Sequence, residues 1–70
     1  MSIEELGILI QERRLKLALK QEDISEMIGI STKTIQNIEH GKANPSLKTL
    51  QKLSEILGLT LIIQLKNTTE

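Results

Sequence analysis

QEDISEMIGISTKTIQNIEHG, residues 21–41, decides how this chain is read, because it divides at Gly29 into two short helical patterns. In the first, Ile24 and Ile28 share a face at i, i+4, and Glu22 and Asp23 occupy the first turn, where a carboxylate complements the positive end of the helix dipole. Gly29 ends that helix at about Ile28. Ser31 is a good N-cap for the second, which runs to about His40 with Ile35 and Ile38 on one face, and Gly41 stops it. Ser25 and Gly29 are small enough to let the two helices meet at a tight turn. Opposite the isoleucines, Lys33, Gln36, Asn37 and His40 fall at i, i+3, i+4 and i+7, a polar and hydrogen-bonding face. A first helix that crosses a phosphate backbone and a second that lies in a major groove need this pattern, so double-stranded DNA is the expected ligand.

Two further helices flank the segment. Ser2 followed by Glu5 is a capping box, and Ile3, Leu6, Ile10 and Leu17 recur at helical spacing, which predicts a helix from about Ile3 to Leu17. Ser46 caps a fourth helix that turns Leu47, Leu50, Leu53 and Leu57 inward, and Gly58 stands where a left-handed C-terminal cap belongs. After Gly58 the rhythm changes: in LTLIIQLK, Leu59, Leu61, Ile63 and Leu65 alternate with Thr60, Ile62, Gln64 and Lys66. That period of two predicts a strand over 59–66, with a fifth helix as the alternative. A lone apolar strand has an unpaired edge, which is satisfied by an antiparallel ribbon across a twofold axis; Leu59, Leu61, Ile62, Ile63 and Leu65 are the expected dimer interface. The division is a DNA-binding domain over 1–58, a dimerisation strand over 59–66 and a tail over 67–70.

Composition narrows the functions. Seventy residues without Cys make one small domain with neither disulfide nor thiolate metal site to reinforce it, so oligomerisation is the expected support. The formal net charge is zero, which argues against indiscriminate attachment to phosphate, yet residues 31–52 hold Lys33, Lys42, Lys48 and Lys52 against Glu39 alone. Without Phe, Tyr or Trp the chain offers no stacking platform for single strands. No signal-peptide pattern or membrane span is visible at sequence level, which makes the cytoplasm the expected location.

The positions Leu6-Gly7, Ile10, Arg14, Leu19, Gln21, Ser25, Gly29-Ile30-Ser31, Ile35, Ile38-Glu39, Gly41-Lys42, Pro45 and Leu50 together resemble the phage-repressor and Cro helix-turn-helix family over residues 6–57. The resemblance implies an all-α, four-helix, lambda-repressor-like domain that binds palindromic operators as a homodimer. It implies that Arg14 pairs with Glu39, that Gln21 touches a phosphate, and that Thr32, Lys33 and Asn37 meet base edges with Gln36 and His40 beside them. Lys20 stands where the family usually has a Thr cap, Ala18 replaces a frequent Gly, and Arg13 replaces an apolar residue. Ile8 and Leu15 stand where polar residues are usual and share the face opposite Ile3 and Ile10. With its strand-like end the chain is also similar to HipB-type antitoxins, which implies an autoregulating repressor that binds a kinase-like toxin, with Ile8 and Leu15 as the partner face. A restriction-modification controller, or a phage-type repressor without a toxin, is the alternative.

Residue types assign the chemistry. Lys33 can donate to guanine O6 and N7, Thr32 can meet a thymine methyl or a phosphate, and Gln36 and Asn37 can read adenine edges. Ser31, His40, Lys42, Asn44 and Lys48 are the remaining phosphate candidates, the last three around a helix N-terminus that favours anions. Arg14 and Glu39 are architectural, and Met27 is expected in the packing. His40 has no second His or Cys to complete a metal site, and no nucleophile and base, or carboxylate pair, suggests catalysis, so neither metal, cofactor nor enzyme activity is expected.

Overall fold

In the computed structural model, which describes residues 1–64 and Lys66, four helices follow one another: α1 (Ile3–Lys16), α2 (Gln21–Ile28), α3 (Thr32–Glu39) and α4 (Leu47–Leu57). Each starts where the sequence places a cap. Ser2 Oγ accepts from the Glu5 N–H at 3.0 Å while the Ser2 N–H donates to Glu5 Oε1 at 2.8 Å, the complete capping box. Ser31 and Ser46 accept from the N–H groups of Thr34 and Thr49, each at 3.1 Å. Lys20 offers no such oxygen; α2 keeps only the reverse half of a box, the Lys20 N–H donating to Asp23 Oδ2 at 2.8 Å.

α1 and α3 end in the same way. The N–H of Leu19 reaches Arg14 O and that of Ala18 reaches Leu15 O, as Lys42 reaches Asn37 O and Gly41 reaches Ile38 O. This double closure needs a left-handed residue, which α3 supplies as Gly41 at φ 72° and α1 as Ala18 at φ 57°. An alanine held there stores about 1 kcal/mol of steric strain.

Seven side chains make the core: Ile10 from α1, Ile24 and Ile28 from α2, Ile35 and Ile38 from α3, and Leu53 and Leu57 from α4. α1 packs on α3 and α4, and α2 packs on the same two helices. The contact between α1 and α3 is close enough that a Cβ on Gly7 would lie 2.4 Å from Ile38 O and 2.7 Å from Glu39 O. Arg13, where the resemblance leads one to expect an apolar side chain, donates from Nε to Leu57 O at 2.9 Å and so caps the end of α4.

Several expectations are corrected. Leu47, which the sequence turns inward, is exposed, and so are Ile3 and Leu17 of the helical stripe on α1. Ile3 and Leu47 are first residues of their helices, and side chains lean toward the helix N-terminus, which carries these two past the end of the packed layer. Leu17 is the C-cap of α1, beyond the helical register that would have aimed it at the core. Met27 is 58% exposed rather than packed. The dimerisation strand is not formed in the single chain: among the described residues of 59–66 none is in strand or helix. A strand is defined by its ladder of hydrogen bonds, and among the described residues there is no second strand to provide one. Leu59, expected at the dimer interface, is half-buried against the core in the single chain, its N–H bonded to Ser54 O at 2.9 Å. Leu61, Ile62 and Ile63 are exposed. Leu65 and the tail over 67–70 lie outside the described residues.

Candidate nucleic-acid interface

The second helix of the opening motif is α3, and its burial pattern fixes which side chains face outward. Ile35, Ile38 and Glu39 point to the interior. At 100° per residue Lys33, Asn37 and His40 lie on the opposite side, with Gln36 next to them and Thr32 and Thr34 on the margins. Lys33 and His40 are exposed, and Thr32, Gln36 and Asn37 are half-buried at their bases. From Lys33 to His40 this face extends about 10 Å along the helix, enough for three base pairs at their 3.4 Å spacing. Thr34 was absent from the sequence-derived set. It is exposed, and its hydroxyl lies 2.9 Å from Ser31 Oγ.

Glu39 is the acidic residue that would spoil this surface, and the fold hides it. Arg14 Nε donates to Glu39 Oε2 at 2.6 Å and Arg14 Nη2 to Oε1 at 3.0 Å, a forked pair in which Arg14 is 8% and Glu39 4% exposed. The hydrogen bonds to Glu39 raise the guanidinium pKa further above its ordinary value, against the opposing effect of burial. With Glu39 neutralised inside, the exposed ions of residues 31–52 are Lys33, Lys42, Lys48 and Lys52. A chain of zero formal charge thus presents a positive face, which is what a phosphate backbone selects.

The same pair organises its neighbours. Arg14 Nη1 donates to Leu19 O at 3.0 Å, fixing the turn into α2, and Gln21 Nε2 donates to Glu39 Oε1 at 3.0 Å. Gln21, expected on a phosphate, therefore has its amide directed inward at Glu39, which leaves the second Nε2 proton and the N–H groups opening α2 as donors at the surface. Ser25 Oγ donates to Ile30 O across the turn, so its small side chain serves as a tie as well as a gap. Ser31, expected on a phosphate, is first of all the cap of α3.

Around the loop before α4, Lys42, Asn44 and Lys48 are exposed beside the Ser46 cap. These follow α3 directly in the chain. A shallow depression between α2 and the start of α3 is lined by Lys20, Glu22, Asp23, Ser25, Glu26 and Thr32. Its three carboxylates against one lysine make that side of Thr32 acidic. Among the described residues no group of three His, Cys, Asp or Glu is placed to hold a metal ion, and no helix is long and apolar enough to cross a membrane.

The helix-turn-helix family model matches residues 10–63. The ImmF control region 10 kDa protein of Bacillus phage phi105 is 34% identical over 58 residues, which are 83% of this chain and 64% of that protein. Multiprotein-bridging factor 1c of Arabidopsis thaliana is 35% identical over 57 residues, 81% of this chain and 38% of that protein. The chain thus spans less than two thirds of either relative. Among solved structures, the restriction-modification controller protein C.AhdI of Aeromonas hydrophila superposes with a TM-score of 0.78 at 26% identity, covering 83% of this chain and 88% of that one.

Proposed function

Since the chain belongs to the helix-turn-helix family, we propose that it is a sequence-specific regulator of transcription that binds double-stranded operator DNA as a homodimer. The observation that carries this reading is the neutralisation of Glu39 by Arg14 beneath α3, which leaves Lys33, Gln36, Asn37 and His40 on an outward face without a competing carboxylate. In it Lys33, Gln36 and Asn37, with Thr32 at the margin, read base edges. Gln21, Ser31, His40, Lys42, Asn44 and Lys48 hold the backbone. One helix of eight residues makes few contacts, so two copies on a palindrome are needed for useful affinity. The exposed Leu61, Ile62 and Ile63 supply the apolar surface for that pairing, by a ribbon across the twofold axis.

Two genetic settings suit such a regulator. Likeness to the phage protein and to C.AhdI supports a phage-type repressor or restriction-modification controller. The antitoxin of a HipA/HipB-like pair, with a kinase-like toxin as partner, draws its support from the uncovered Ile8 and Leu15. Lys33→Ala with Asn37→Ala is the decisive variant: gel shifts on DNA from the chain's own promoter should be lost while the thermal melt is unchanged. Retained binding rejects the reading face. Deletion of residues 60–70, which spares the half-buried Leu59, should give a monomer by sedimentation and weaken binding, and a dimer after this deletion rejects the ribbon.

A further inference from the structure

We propose that the outer face of α1 is a docking surface for a basic amphipathic helix of a partner protein. The side of α1 turned to the core carries Gly7, Ile10 and Arg14. On a flank of the same helix, roughly 110–130° round from that side, Ile8 is 53% and Leu15 60% exposed. They stand two turns apart, about 10 Å along the helix, the spacing at which one helix lays its apolar stripe on another. A single exposed aliphatic residue is ordinary on a surface. Here the two are bordered by three exposed carboxylates, Glu4, Glu5 and Glu12.

The cations of the same helix do not balance that border. Arg13 is turned to Leu57 O and Arg14 to Glu39, both on the inner side, which leaves Lys16 at the far end of α1. An apolar stripe edged by one sign of charge selects a partner with matching aliphatic spacing and Lys or Arg on its flanks. A second copy of this chain, its α1 antiparallel so that Ile8 meets Leu15, would set Glu12 level with Gln11 and Lys16 near Glu5, so self-association that Ile8→Ser with Leu15→Ser abolishes would overturn the proposal. Parallel pairing aligns all the carboxylates. An anionic lipid surface is repelled for the same reason. The inference deepens the partner-face reading of Ile8 and Leu15 given under the proposed function, and does not rest on the DNA-binding reading.

Two helix-stabilised synthetic peptides with the same leucine spacing test the surface, one with Lys and the other with Glu at the flanking positions, each titrated into the isotope-labelled full chain and followed by amide shifts. The Lys peptide should perturb Ile8, Glu12 and Leu15, and should weaken on the order of tenfold between about 0.05 M and about 0.5 M salt as the charges are screened. The Glu peptide should bind at least about tenfold more weakly. Ile8→Ser with Leu15→Ser should abolish Lys-peptide binding with the melt and gel shift unchanged, and Glu12→Lys should favour the Glu peptide. Equal affinity for both peptides, shifts confined to residues 59–63, or wild-type affinity in the double variant overturns the proposal.

Discussion

Gly7→Ala adds one methyl group at the place where α1 touches α3. The new Cβ would lie 2.4 Å from Ile38 O, 2.7 Å from Glu39 O and 3.0 Å from Glu39 C, all of them backbone atoms that cannot rotate away. Ordinary contact needs about 3.4 Å, so the two helices must separate by roughly 1 Å, and an intrusion of this kind into a packed interface costs about 1–3 kcal/mol. Against this, alanine in a helix interior is favoured over glycine by about 1 kcal/mol. The steric term should win by roughly 1 kcal/mol, a fall in melting temperature of about 4–8 °C for a domain of this size. Urea unfolding followed by helix ellipticity should show a lower midpoint at unchanged slope. A midpoint above wild type would mean that helix propensity prevails and that the α1–α3 contact is looser than 2.4 Å implies, which refutes the reasoning.

Removing one member of the buried pair, as in Arg14→Leu, strands the Glu39 carboxylate and should cost about 3–5 kcal/mol, enough to unfold much of the chain at 37 °C; Arg14→Leu with Glu39→Leu should recover a large part of that in a double-mutant cycle. Ala18→Gly relieves the left-handed strain at φ 57° and should raise stability by about 1 kcal/mol in urea titrations. Lys20→Thr gives α2 the missing capping oxygen and should add about 1 kcal/mol, read from the same titrations. The Glu5 carboxyl is held below its ordinary pKa of 4.5, first by the Ser2 backbone N–H, then by the Ser2 side chain and the N-terminal ammonium. Because the folded value is depressed, the stabilisation is present above pH 4.5 and is lost as the pH falls through the folded value. The stability gap between wild type and Glu5→Gln should therefore close on acidification, and a gap that persists at low pH rejects this account.

Local chemistry is legible in sequence wherever one residue type has one physical use. Ser2, Ser31 and Ser46 mark helix starts because a hydroxyl there satisfies an orphan N–H, and all three do so in the structure. Gly29, Gly41 and Gly58 mark helix ends because each takes a positive φ. Between those limits the isoleucine spacing fixes which face of α2 and α3 is inward, and with it which side chains of α3 point out. Three things depended on the tertiary structure. The exposure of Ile3 and Leu47 follows from where the neighbouring helices stop, and periodicity along one helix carries no information about that. Residues 59–64 alternate like a strand but form none in the single chain, because a strand exists through its partner's hydrogen bonds. The sign of the outward surface of α3 was the third: the formal charge is zero, and the surface becomes positive because Arg14, from a helix 25 residues away in the chain, draws the Glu39 carboxylate into the interior.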